Sequence, residues 1–176
     1  IEAVGDRLID ALLFMGGVWE QGAFSPEYDF RSSPHQETAF VVNVNLVAPI
    51  ELTKSLATNL KETANPRAIY MGSLSGLDHS ASPEVANTAS KFGLRGAIEA
   101  LRLSLRSDGI GFTVINPGNV ATEEVLDDIS SGRTPMQVPI PLTDIVQTIE
   151  WILNVSKDTE IGDVNLIQKT GRKIRR

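Results

Sequence analysis

The chain has no cysteine, which excludes disulfides, thiol nucleophiles and cysteine metal sites. Histidine is nearly as scarce: His35 and His79 are the only two in 176 residues, neither in a metal-ligand spacing, so no metal is expected. No signal-peptide pattern and no apolar run of transmembrane length are present, which predicts a soluble, cytoplasmic protein with no membrane partner. Positive charge is the minority, 16 Lys and Arg against 22 Asp and Glu for a net charge of -6. That balance argues against a nucleic-acid partner. The basic "GRKIRR" at the C-terminus reads as a solvated end rather than a binding patch.

What is present is globular. Hydrophobic residues make up 41% and charged residues 22%, and the length suits a single domain over 1–176. Short apolar runs stand at 11–14 (ALLF), 68–71 (AIYM), 112–116 (FTVIN) and 163–168 (DVNLIQ). The first three are nearly continuous, as expected of strands buried on both faces of a parallel sheet. Helical patterns separate them. Residues 36–62 carry Phe40, Val44, Val47, Leu52, Leu56 and Leu60 at spacings near three and four, and residues 84–107 carry Leu94, Ile98, Leu101 and Leu105. PLTDIVQTIEWILN opens with a helix-start signature and keeps Ile145, Ile149 and Ile152 on one side. Alternating strands and helices predict βαβ units with right-handed crossovers and an α/β fold. The irregular stretches 16–34 and 130–141 are predicted to lie at the ligand-binding edge of the sheet. IEAVGDRLID, at 1–10, reads as the second half of a helix.

Four segments could carry chemistry: LLFMGG (12–17), VNL (44–46), GSLSG (72–76) followed by NTASK (87–91), and NPGNVAT (116–122). Singly, each is ordinary turn or helix sequence. In this order they resemble the short-chain dehydrogenase/reductase family, over essentially the whole chain. The resemblance implies a Rossmann-like, doubly wound parallel sheet and an NAD- or NADP-dependent oxidoreductase acting on a small-molecule carbonyl or alcohol. It places Gly17 at the family's Asn-Asn-Ala-Gly strand end, Asn45 at the active-site asparagine and Lys91 at the lysine of the Tyr-x-x-x-Lys pair. Ser73 is the best match to the catalytic serine, with Ser75 second. Pro117, Gly118, Val120 and Thr122 match the loop that borders the nicotinamide. In such a site the lysine holds the nicotinamide ribose and favours the phenolate of the tyrosine, the serine holds the substrate oxygen, and the asparagine anchors a water leading protons to the lysine.

The sequence departs from that pattern twice. The tyrosine position is Asn87, a carboxamide that donates hydrogen bonds but cannot protonate an alkoxide. Tyr70, Asp78 and His79 are the nearby candidates for a substitute acid. Further, no Gly-x-x-x-Gly-x-Gly turn opens a helix, so the pyrophosphate cradle is missing. The chain is therefore expected to be the C-terminal part of the fold, with the family's first three strands absent, as a fragment or an incomplete record. The aromatics Trp19, Phe24, Tyr28 and Phe30 either line an apolar substrate pocket or pack their loop. Gly93 and Gly96 allow close helix approach, in keeping with the helix pair through which this family forms homo-oligomers. Two functional classes remain: an oxidoreductase with an altered proton-donor position, and a catalytically silent relative that binds a cofactor or a protein partner.

Overall fold

A computed structural model describes residues 2–169; the basic tail lies outside them. Four strands form one parallel sheet in the order β1-β2-β3-β4: β1 (Ala11–Phe14), β2 (Arg67–Met71), β3 (Gly111–Pro117) and β4 (Asp163–Leu166). β3 is buried along its whole length and β2 nearly so, as their continuous apolar sequences require. β1 departs from the expectation of burial on both faces. It is one of the two edge strands among the described residues, and Leu13 is 41% exposed because the helix covering that face packs on β2 and β3 instead.

The helices are α1 (His35–Val42), α2 (Ala48–Lys61), α3 (Val85–Ser104), α4 (Glu123–Ser130) and α5 (Leu142–Asn154). Leu56 and Leu60 of α2 and Leu94 and Ile98 of α3 pack on Leu12, Ala68, Tyr70, Phe112 and Val114, one face of the sheet. Ile152 of α5 packs on Ile69 and Ile115, the alternate residues that face the other way. The sheet is thus covered on both faces, as in a doubly wound fold. The strands step in one direction while α3 and α5 lie on opposite faces, so the β2–α3–β3 and β3–α5–β4 crossovers have opposite hands. The expectation of uniformly right-handed crossovers is therefore corrected. The handedness preference belongs to a helix that returns directly onto its sheet, and the long excursion through α4 and residues 131–141 releases that constraint.

α1 and α2 are joined by a π-helical segment, Asn43–Val47. Its wide turn keeps residues four apart in line, so the inward stripe is Val41, Asn45, Pro49, Thr53, Leu56 and Leu60. The 3.6-residue reading, which put Phe40, Val44 and Val47 on the core side, is overturned at this point: Phe40 is 57% and Val47 42% exposed. By length and composition alone the run His35–Lys61 passes for a membrane-crossing helix, with a mean hydropathy of 1.2 over its most apolar window, but its buried stripe packs on the sheet.

Two further expectations change. Residues 2–10 form a turn and an extended lead-in rather than a helix, with Gly5 in the left-handed region at φ 55°. Asn59 of α2 ties this segment down by donating to the carbonyls of Gly5 and Arg7. α4 runs up to the irregular stretch 130–141, at a place where the sequence patterns predict no helix. Thr122 caps α4, its Oγ1 accepting the Val125 N–H at 3.3 Å, and Glu123 and Glu124 in the first turn favour the positive end of the helix dipole.

Candidate active site

β1, β2 and β3 all end at one edge of the sheet, where residues following each strand surround a cavity of about 500 Å³. Gly17, Ser73, Asn87, Lys91, Pro117, Gly118, Val120 and Thr122 all line it. Asn45 does not. It is fully buried behind the wall, its Oδ1 accepting the Val18 N–H at 2.9 Å and its Nδ2 donating to the Val18 carbonyl at 2.7 Å and to Ser90 Oγ at 3.0 Å. Ser90 Oγ in turn donates to the Asn87 carbonyl at 2.7 Å. Both N–H bonds of the Asn45 carboxamide are thereby used, and one Oδ1 lone pair is left. The sequence reading passed over Ser90; its position immediately before Lys91 is the only signal that could have found it.

The close packing at the strand ends depends on glycine. A Cβ on Gly72 would lie 2.1 Å from Asn116 Oδ1, and one on Gly76 would lie 2.9 Å from the main chain of Lys91. The bare Gly72 lets the end of β2 lie against Asn116 of β3, and the bare Gly76 brings the turn after β2 against α3. Lys91 reaches past it and donates to the Met71 carbonyl at 3.0 Å. A Cβ on Gly17 would lie 3.2 Å from Lys91 Nζ, so that glycine leaves the ammonium its place. Lys91 is 7% exposed, and burial pulls its pKa down from the usual lysine value to about 8. One of its three N–H donors is committed to Met71, and two remain for the cavity.

Ser73 Oγ accepts both the N–H of Ser75, at 3.1 Å, and the hydroxyl of Ser75, at 2.9 Å. With both lone pairs engaged, Ser73 has its own O–H left to donate. Ser75 is buried and does not line the cavity. After β3, Gly118 passes so close to Gln168 that a Cβ would meet its Oε1 at 2.7 Å, and Val120 pairs with Ile140.

Asn87 sits one helical turn before Lys91, its carboxamide unbonded among the described residues while its main-chain N–H is held by Glu20. None of the substitute acids considered from sequence reaches the cavity. Tyr70 is fully buried beneath α2 and α3 and does not line the cavity; it is bonded to Thr53 Oγ1 at 2.5 Å, and its desolvated hydroxyl is pushed up to about 12. Asp78 and His79 are exposed outside it. The acids that do line it, Glu124 and Asp128, come from α4, a helix that the sequence patterns do not predict. Asp128 is paired with Arg133 at 2.7 Å. The loop aromatics divide: Trp19 and Phe24 line the cavity in an edge-to-face pair 5.7 Å apart, Tyr28 accepts the Val85 N–H, and Phe30 is exposed. The helix glycines divide as well. Gly93 lets Leu46 approach, whereas Gly96 faces open space.

The family model described as short chain dehydrogenase matches residues 7–131. A short chain dehydrogenase of Penicillium brasilianum is 29% identical over 149 residues, 84% of this chain and 54% of the relative. A ketoacyl reductase of a Nostoc strain is 29% identical over 161 residues, 86% of this chain and 54% of the relative. The chain thus spans about half the length of these curated relatives. Among solved structures, 4-hydroxyisoleucine dehydrogenase complexed with NADH superposes with a TM-score of 0.71 at 25% identity, over 90% of this chain and 67% of that one. An alcohol dehydrogenase from the archaeon Thermococcus sibiricus complexed with 5-hydroxy-NADP has the same fold, with a TM-score of 0.74 at 17% identity over 99% and 68%. The Rossmann-like sheet, the ordered segments around one cavity and the family match together place this chain in the short-chain dehydrogenase/reductase family.

Proposed function

We propose that this chain forms the nicotinamide- and carbonyl-binding portion of an NAD- or NADP-dependent oxidoreductase whose proton-donor position is altered. The observation that carries the reading is the convergence of Lys91, Ser73 and Thr122 on one cavity at the C-terminal edge of the sheet. The donor set fits a nicotinamide riboside. Two uncommitted ammonium hydrogens on Lys91 suit a ribose diol, and Gly16 and Gly17 leave the wall beside it open. Bound there, the cofactor would supply hydride chemistry. The Ser73 O–H would hold the substrate oxygen, and Asn87 would add a neutral donor to it. Neither replaces a general acid, whose loss typically costs about 10²- to 10⁴-fold.

The unbonded carboxamide of Asn87 also favours a second reading, a catalytically silent relative that keeps the binding site. The two readings separate on NADH and NADPH binding and on reduction of simple ketones by the protein before and after Asn87→Tyr. Binding with slow turnover and a gain of at least about 10²-fold in the tyrosine variant is expected. Binding without turnover in either would favour the silent relative, and absence of nucleotide binding would sink both cofactor-based readings. Exposed Phe40, Val47 and Phe92 on α1, the π-helical segment and α3 support self-association, which sedimentation at micromolar concentration would test.

A further inference from the structure

The loop after β1 and the start of α3 hold one another through carboxylates. Glu20, on the loop, is 4% exposed, and its Oε1 accepts the Ala86 N–H at 2.6 Å while both its oxygens lie 3.3 Å from the Asn87 nitrogen. Glu84, just before α3, is 2% exposed and accepts the Phe24 N–H at 2.8 Å. Each side thus sends a carboxylate to the other's main chain. Glu37, in the first turn of α1, adds a third tie by accepting the Gln21 N–H at 2.6 Å.

Buried carboxylates are costly unless partnered. Neither Glu20 nor Glu84 joins an ion pair among the described residues, and Glu84 Oε2 is buried without a partner. For Glu20 the first-turn N–H groups of a 20-residue helix offset the charge. For Glu84 the gain is conformational. Phe24 adopts a left-handed φ of 62°, which a phenylalanine keeps only when its surroundings over-determine it. The Glu84 bond fixes the N–H of that residue. The pair Trp19 and Phe24 is held at these ties, Trp19 next to Glu20 and Phe24 through its own N–H, and lines the same cavity as Asn87.

We propose that Glu20 and Glu84 are positioning residues that clamp the loop onto the first turn of α3 and so fix the Trp19–Phe24 wall of the substrate cavity. Calling that wall part of a substrate site rests on the oxidoreductase reading; the clamp itself does not. The wall is apolar and aromatic, so the clamp favours carbonyl substrates with a flat apolar group over small aliphatic ones.

The test uses Trp19 as its reporter. The protein has two tryptophans, and Trp151 is exposed on α5 away from the cavity, so a Trp151→Phe background isolates Trp19. In that background Glu84→Ala is expected to raise acrylamide quenching about twofold, the step from 41% exposure to full exposure. Glu84→Gln, which keeps the accepting oxygen, is expected to quench like the parent. A parent-like quenching constant in Glu84→Ala, with an unchanged melting temperature, would overturn the clamp. If the alanine variant does not fold, hydrogen exchange on the parent decides: protection of the Phe24 and Ala86 amides is expected, and exchange at unprotected rates refutes it. In an active Asn87→Tyr background, Glu84→Ala should raise KM for acetophenone about 10- to 100-fold and leave KM for NADH unchanged. An unmoved acetophenone KM there would also count against the positioning role. Absence of turnover in every variant would bear on the oxidoreductase reading alone, since the quenching needs no catalysis.

Discussion

Asn45 bonds Val18 from both ends of its carboxamide, accepting the N–H at 2.9 Å and donating to the C=O at 2.7 Å. A residue on the helical run thereby completes the main-chain pairing of a loop residue 27 positions earlier, much as a neighbouring strand would. Removing that group leaves the partly buried N–H and C=O of Val18 without partners and takes from Ser90 Oγ the N–H it accepts. Asn45→Ala is therefore expected to destabilise the protein by about 3 kcal/mol, measured by urea unfolding. A loss under about 1 kcal/mol would mean that the loop is held by something else.

The two serines after β2 differ in what they face. Ser73 lines the cavity with its O–H free to donate, whereas Ser75 is spent on Ser73. In the Asn87→Tyr background, Ser73→Ala is expected to lower kcat about 100-fold, as loss of a donor to a developing oxyanion does. Ser75→Ala should lower it only a few-fold. The reverse order would reassign the substrate-holding role to Ser75.

Lys91 makes stability depend on pH in a defined sense. Its folded pKa is lowered to about 8 from 10.5 by burial, so between those values the unfolded chain binds more protons than the folded one. Stability then rises with pH across that window. Below pH 8 both states carry the charge, and its burial penalty is fully present. Urea titrations of the parent and Lys91→Met from pH 7.5 to 10.5 should show the parent gaining on the variant, by at most about 3 kcal/mol at about 1.36 kcal/mol per pKa unit. A difference that stays flat or falls with pH would indicate a better solvated ammonium than 7% exposure implies.

Tyr70 is the only tyrosine close in sequence to the site, and the structure turns it away. Its hydroxyl is committed to Thr53 on the α2 side of the sheet. Tyr70→Phe should leave nucleotide affinity and any turnover unchanged and cost about 1 kcal/mol of stability, the usual net worth of one hydrogen bond. A marked loss of turnover in this variant would restore Tyr70 as a substitute acid.

Much of the fold was legible because strands and helices write themselves locally. The runs at 11–14, 68–71, 112–116 and 163–168 became β1 to β4 with ends within one or two residues, and Leu94 and Ile98, or Ile145 and Ile152, fell on the inner faces that their spacing predicts. The helical stripe failed where the helix itself changed period: the π-helical turn at Asn43–Val47 moved Val41 and Asn45 inward and turned Phe40 out. α4 was missed because its eight residues, with Val125, Leu126 and Ile129 the apolar ones, are too few to display a helical period.

By itself, the sequence determined the order of strands and helices, the strand-end glycines, and a cavity segment with Lys91 but no tyrosine one turn before it. Those features depend on residue type and spacing within a few turns of chain. The tertiary structure decided which face each helix covers, that Ser73 rather than Ser75 meets the cavity, that Tyr70 is buried away from it, and that Glu20 binds the first-turn N–H groups of α3 while Glu84 binds the Phe24 N–H. Each of those outcomes depends on where elements dozens of residues apart come to rest, and a short-range period carries no record of that placement.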